Sequence, residues 1–531
     1  MASPAERLES SLRPLRKLRR RGVVAIRSTD LSRTHRERLL RNGCLREVLK
    51  GWYFATGPEE GGAADAAWHD CYWRFCAGYL NRLRKSGWCL SPEQSIFLHT
   101  GNWLIPAQLR VRAAKARNNV TKLPNGLSLL EMRLSLPGKE HAVVVSGGLR
   151  LFSVSAALVA CGGRMFRERP VDLRLALGLV EDLSAIRELL LETGRSTVAG
   201  RLAGAFRSIG REDFADDIMG TMRDAGYDTR ETDPFASAAP VEAPPSKPSI
   251  PPGPAQLAAR RIRLMWHVMR PAVIESFPVS IPGKVDAAAC LRHVDDLGVA
   301  DAWHSLATQA TQATQATQAV QVSAKTLELA RSPTAEQAAN TAGEADRAML
   351  LARGQWRAFL AARASLEQIL GGADAAAVIG ADLEKWQREM FTPLVDAGLC
   401  AAAETFGQRE GGARVRGRFI PMEGPAVAGA MRTLFRLLRD ENHPSARAVL
   451  AHFFLQYIQP CKAGNERLAR LLMSVLLAAA GLPWTIIPAE QIATHREAIQ
   501  TARIEEDITP LAKQINALTQ MLHLSAIQGM R

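Results

Sequence analysis

Residues 451–473 read AHFFLQYIQPCKAGNERLARLLM, a pattern that predicts two helices joined by a short loop. Val449, Leu450, Phe453, Phe454 and Tyr457 fall on one helical stripe. Gln459 and Pro460 break that helix, and the loop closes on Gly464 and Asn465. Leu468, Leu471, Leu472, Val475 and Leu476 give the second helix its buried face. A small-residue loop opening into a helix start gathers unpaired backbone N–H groups at the positive end of the dipole, an anion-binding arrangement. Arg467 and Arg470 share one face a turn further in and add charge there. A plain helical hairpin with surface arginines has the same spacing, so spacing alone does not separate the two.

The stretch resembles the signature of the Fic (Fido) family, H-P-F-x-(D/E)-G-N-(G/K)-R-x-x-R. In this chain it reads Gln459-Pro460-Cys461-Lys462-Ala463-Gly464-Asn465-Glu466-Arg467-Leu468-Ala469-Arg470. Upstream, Val415-Arg416-Gly417-Arg418-Phe419-Ile420-Pro421 resembles the family's flap hairpin, and His443-Pro444 fits as well. Downstream, residues 481–488 (GLPWTIIP) and Asp507-Ile508-Thr509-Pro510 are similar to a common subfamily. The resemblance runs from about Ala258 to the C-terminus and implies an all-α fold with a β-hairpin flap. Arg416, Gly417, Arg418 and Phe419 would add backbone partners to an extended target segment.

The departures bear on function. The family transfers AMP, or another phosphate-containing group, from a nucleotide-type donor to a target hydroxyl. Its signature His takes the hydroxyl proton, a step worth ~10²–10⁴-fold; this chain has Gln459, whose amide has no useful basicity. Its acidic residue holds Mg²⁺ on the donor phosphates; this chain has Ala463. Glu466 replaces the second glycine and puts a carboxylate beside the phosphate site, in reach of Arg470 on its own helix. Gly464, Asn465, Arg467 and Arg470 remain for nucleotide or phosphate binding. The expectation is a kept scaffold with lost chemistry, a non-catalytic or antitoxin-like regulator with no metal or cofactor of its own, binding a nucleotide or a protein. The alternative is a nucleotidyltransferase with altered chemistry, which would use ATP with Mg²⁺.

Many family members carry an inhibitory (S/T)-x-x-x-E-(G/N) helix. In register from Ser323 the Glu position is Leu327, and Glu328 falls one place late. Ser332 to Glu336 has the spacing, but Gln337 follows. The motif is degraded or absent.

The chain has 531 residues, 47% apolar and 23% charged, which fits about three soluble domains. A net charge of +14 points to an anionic partner. The eight cysteines are scattered, with neither C-x-x-C nor a zinc spacing, as in a reduced cytoplasmic protein. Residues 1–22 are basic without an apolar segment, and no apolar run reaches the ~18 residues of a membrane span, so neither signal peptide nor membrane is expected.

Residues 1–58 are the most basic part. Pro14 to Arg21 reads as a helix with Pro14 in its first turn, and Val23 to Ile26 as a strand. Ser28, Thr29 and Asp30 are cap candidates for a helix from Leu31 to about Arg41, and residues 45–54 alternate like a wing. The segment resembles the winged helix-turn-helix of bacterial abortive-infection-type antitoxins, which are DNA-binding repressors. Arg33, Arg36, Arg38 and Arg41 would enter the major groove while Arg16 to Arg21 neutralise phosphates. A small helical domain with a solvated arginine face has the same composition.

Residues 59–235 read as an α/β domain similar to the one that accompanies such winged helices. Trp68 to Ser86, Arg174 to Glu192 and Val198 to Ala225 are helical, and Ala142 to Val145 is a buried strand. His99 has no nucleophile or metal partner in the sequence and reads as structural. Arg110, Arg112, Lys115 and Arg117 form a basic run that extends a DNA face or is a solvated loop. Residues 236–257 are a Pro-rich linker, and 258–531 the degenerate Fic region. Within it residues 308–319 repeat Thr-Gln-Ala four times, an exposed helix or a loop. His495 lies well outside the signature loop and is a poor replacement base.

Overall fold

The computed structural model describes residues 3–56, 64–235, 253–278, 285–310, 322–331, 344–400 and 418–529. The chain is mainly helical and divides into two compact units, Met1–Pro251 with Arg414–Ile420, and Pro252–Ala413 with Pro421–Arg531.

The first unit begins with α1 (Pro4–Arg20). It starts well upstream of Pro14, because Ser3 and Glu6 form a capping box that satisfies two backbone N–H groups, and Pro14 lies inside the helix. Next come β1 (Ile26–Arg27), α2 (Arg33–Arg41), β2 (Leu45–Leu49) and β3 (Trp52–Ala55), the sheet order being β1-β3-β2. The cap of α2 is Ser32, whose hydroxyl accepts the His35 N–H at 3.3 Å, while Ser28–Asp30 form a separate 3-10 turn. Leu15, Ile26, Leu31, Leu39, Cys44, Leu45 and Tyr53 make the small core these elements share.

The unit continues with α3 (Ala64–Arg84), β4 (Trp88–Leu90), α4 (Pro92–His99), β5 (Gln108–Ala113), β6 (Val120–Lys122), β7 (Ser128–Met132), β8 (Ala142–Val144) and β9 (Arg150–Phe152). The larger sheet has the order β4-β5-β7-β6 with β5 and β7 parallel; β8 and β9 pair separately. Trp68, Tyr72, Phe75 and Tyr79 of α3 are buried in an aromatic core, as their helical spacing predicts. The expected buried strand at Ala142 to Val145 is instead exposed on β8, Val144 at 57%. Its apolar run marks strand propensity, which does not require burial.

Helices α5 (Val154–Ala160), α6 (Arg164–Glu168), α7 (Pro170–Leu177), α8 (Ser184–Thr193), α9 (Ser196–Ser208) and α10 (Glu212–Asp224) complete the unit. Where two long helices are predicted there are four, with breaks around Gly178 and Gly210. Of the flap, Arg416 and Gly417 lie outside the described residues. Arg418 is in a turn, its carbonyl accepting the Ile105 N–H at 2.7 Å, and Phe419 is a buried single-bridge residue.

Among its described residues the second unit contains α11 (Pro254–Ser276), α12 (Ala287–Ala310), α13 (Ala324–Ala330), α14 (Glu344–Leu370), α15 (Ala375–Asp396), α16 (Pro425–Asp440), α17 (Pro444–Ile458), α18 (Asn465–Ala479), α19 (Ile492–Ile504) and α20 (Thr509–Gly529). α17 and α18 are buried along nearly their whole length and form the centre around which the other helices pack. Glu441 fastens the turn before α17: Arg270 donates two hydrogen bonds to its carboxylate at 2.7 and 3.0 Å, and the His443 N–H adds a third at 2.8 Å. α14 and α15 approach closely, since a Cβ on Gly354 would lie 2.2 Å from the Met390 carbonyl oxygen. The Thr-Gln-Ala repeat beyond Ala310 and the Ser332–Glu336 match lie outside the described residues.

Candidate functional site

The loop between α17 and α18 is turned by two residues in the left-handed region, Gln459 at φ 52° and Gly464 at φ 83°. Gln459 caps α17 with its N–H on Leu455 and is 7% exposed. Asn465 clips the loop shut, its Oδ1 accepting the Cys461 N–H at 3.0 Å and its Nδ2 donating to the Cys461 carbonyl at 2.6 Å. The sequence places Asn465 toward a ligand; both ends of its amide serve the chain itself. Ala463 is exposed and offers no side-chain oxygen.

The helix start is covered from α15. A Cβ on Gly464 would lie 2.9 Å from Phe391 Cε2 and 3.2 Å from Met390 Sδ. Arg467, only 2% exposed, lies over the same Phe391 ring at 5.5 Å and donates to Gln355 Oε1 at 3.3 Å. Burial lowers its pKa to about 10, with Arg470 acting in the same direction and Glu466 opposing. Arg470, 4% exposed, donates to Glu466 Oε1 at 2.7 Å, the intrahelical pair its spacing predicts. Arg496 approaches the same oxygen at 3.5 Å. The carboxylate at the helix start is thus shared by two arginines of the chain.

The two histidines of α17 and α19 pair with each other. His495 is fully buried, its Nε2 2.9 Å from Nε2 of His452. His452 Nδ1 donates to the Ala469 carbonyl and Gln456 Nε2 approaches its other nitrogen, both at 2.9 Å. Burial pushes His452 down to about 4 and His495 well below the usual range, so both are neutral near pH 7. His452 was missed in the sequence because it sits on an apolar helix with its partner 43 residues away. At the inhibitory-helix register Leu327 is 1% exposed, packed with Ala302, Leu306 and Ala352, and Glu328 is exposed.

The four N-terminal arginines separate into two pairs. Arg36 donates to the Ser28 carbonyl at 2.8 Å and lies over Tyr53, and Arg38 donates to the Arg7 carbonyl and to Ser11 Oγ at 2.8 and 2.9 Å. These two hold the domain together. Arg33 and Arg41 are exposed on the outer face of α2, with Glu37 between them paired to Arg33 at 2.8 Å. Arg13, Lys17, Arg19, Arg20 and Arg21 are exposed on or just after α1. His99 Nε2 lies 2.7 Å from the Phe152 carbonyl. Among the described residues there is no group of three potential metal ligands and no helix long and apolar enough to cross a membrane.

A family model described as Fic/DOC family matches residues 381–477, from within α15 to within α18. The protein adenylyltransferase Fic of Drosophila melanogaster is 37% identical over 108 residues, 20% of this chain and 22% of that protein. The protein adenylyltransferase fic-1 of Caenorhabditis elegans is 30% identical over 103 residues, 19% of this chain and 20% of that one. The chain thus spans about a fifth of the length of the curated relatives it matches. Among solved structures, Fic-1 (aa134–508) from C. elegans has a TM-score of 0.33 at 16% identity, covering 71% of this chain and 98% of its own. A Fic-domain signalling protein from Bacteroides thetaiotaomicron has a TM-score of 0.31 at 15% identity, covering 49% and 92%.

Proposed function

With a Fic/DOC domain at residues 381–477 as the premise, we propose that this chain is a regulator that retains the scaffold of a protein-AMPylating domain without its transfer chemistry, joined to a DNA-binding module at residues 1–58. The observation that carries the first half is the state of the signature loop. Gln459 stands where a base is needed, Ala463 where a metal ligand is needed, and Glu466 engages Arg470. Losing base and metal together raises the barrier by several kcal/mol, since each alone is worth a few. The helix order, the outward Arg33 and Arg41 and the cationic α1 support the second half as a winged-helix reading.

The second reading is an AMP transferase with altered chemistry, favoured by relatives whose matched segments come from protein adenylyltransferases. In that case Asn465, Arg467 and Arg470 would hold the donor phosphates. The experiment is incubation of the full chain and of a lysate with labelled ATP and Mg²⁺. The regulator reading predicts no label above background. Label that appears on protein and vanishes in Arg467→Ala overturns it. A parallel titration compares nucleotide binding by the wild type with the combined Gln459→His, Ala463→Asp and Glu466→Gly variant, which is expected to gain affinity.

A further inference from the structure

Three neighbouring strands of the first unit bring two arginines to one face. Cys89 on β4 is the register partner of Arg112 on β5, so their side chains emerge on the same side. The Arg112 guanidinium lies over the Phe152 ring of β9 at 5.0 Å, and Arg150, two residues before Phe152, shares that side of β9. Cys89 Sγ reaches the Arg150 carbonyl at 3.4 Å, which joins β4 to β9 at this point. Both arginines are half-buried, and both Nε atoms are buried without a hydrogen-bond partner among the described residues. Arg112 makes one long contact, Nη1 to the Ser135 carbonyl at 3.5 Å. Neither forms an ion pair with a described carboxylate.

Guanidinium N–H groups at a desolvated place are normally paired, and two left unpaired on one face call for an acceptor. Burial lowers the Arg112 pKa; Glu93 opposes that and Arg195, just before α9, adds to it. Burial pushes the Cys89 thiol up to about 12 against the pull of Arg112 and Arg150, so it stays protonated and supplies no negative charge. Arg112, Arg150 and Arg195 make the place predominantly cationic, which suits a phosphate group of about −1.5 to −2 charge. A carboxylate ligand needs only one arginine fork, whereas a tetrahedral dianion uses two. Stacking on Phe152 engages the face of the Arg112 guanidinium and not its N–H groups. Both side chains are partly exposed, and Val144, the register partner of Arg150, is 57% exposed.

We propose that Arg112 and Arg150, set side by side across β5, β4 and β9, form a binding site for a phosphate group, carried by a free nucleotide or by a nucleic-acid backbone. The test uses the wild-type full chain. Phenylglyoxal modification of each arginine is followed by peptide mapping with and without inorganic phosphate, ADP or a duplex oligonucleotide. Phosphate is expected to slow modification of Arg112 and Arg150 several-fold while the exposed Arg110 on the same strand keeps its rate. Stronger protection by ADP than by phosphate assigns a nucleotide; protection by the duplex where ADP gives none assigns a nucleic-acid backbone. Unchanged rates at Arg112 and Arg150 with all three ligands overturn the proposal, as does equal slowing of Arg110. A second readout is the rise in Tm with phosphate, expected in the wild type and lost in the Arg112→Gln/Arg150→Gln double variant; a rise that persists there also overturns it.

Discussion

At the scale of single residues, the loop after α17 owes its shape to Gly464. Its φ of 83° is open to glycine and strained for other residues, and the Phe391 ring stands where a methyl would go. Gly464→Ala is therefore expected to cost about 1–2 kcal/mol from the backbone alone, and more if Phe391 cannot yield. Urea unfolding measures this directly, and an unchanged midpoint would contradict the described loop. The identity of these loop residues was legible in the sequence, as was the Glu466–Arg470 pair, because both are local. The inward turn of Arg36 and Arg38 was not. It depends on Ser28, Arg7 and Ser11, whose backbone and hydroxyl acceptors show no sequence pattern.

Among elements, the buried imidazole pair joins α17 to α19, beside the Arg503 hydrogen bond to the Gln456 carbonyl. With His452 near 4 in the fold and about 6.5 in an unfolded chain, the unfolded chain binds more protons between those values. Stability is thus full above about pH 6.5 and falls as pH drops toward 4, by about 1.4 kcal/mol per unit for each such histidine. His495, also depressed, adds to the same slope. Denaturation at pH 7.5, 6 and 5 is expected to show this loss, with a shallower slope in His452→Asn; a flat profile would contradict it. Helix positions around the signature were readable from apolar spacing, and so was the aromatic face of α3. The sequence marks the start of α1 poorly, because Pro14 is a conspicuous signal while a Ser3–Glu6 box is not. Exposed β8 reads as core because strand residues are apolar in either place.

For the whole molecule, the net charge of +14 makes any nucleic-acid contact electrostatic first. Under the proposed DNA reading, affinity for a duplex falls steeply with salt, the log–log slope approaching −0.9 per phosphate contacted. Arg41→Gln is expected to flatten that slope by about one contact without altering Tm, whereas Arg38→Gln lowers Tm through its lost bonds to Arg7 and Ser11. A salt-independent affinity, or a slope unchanged in Arg41→Gln, would remove α2 from the contact. Proline enrichment at residues 236–257 lies where the two units divide near Pro251. Packing across distant segments, such as Arg270 on Glu441, was not.

The narrow seam at Gly354 bears on the space over the loop between α17 and α18. Because Met390 lies against that hydrogen-only position and its neighbour Phe391 roofs Gly464, one added methyl group on α14 would press α15 outward and change the headroom over the loop. Restoring the three altered signature positions would then leave the entrance governed by a residue more than a hundred positions upstream in the chain.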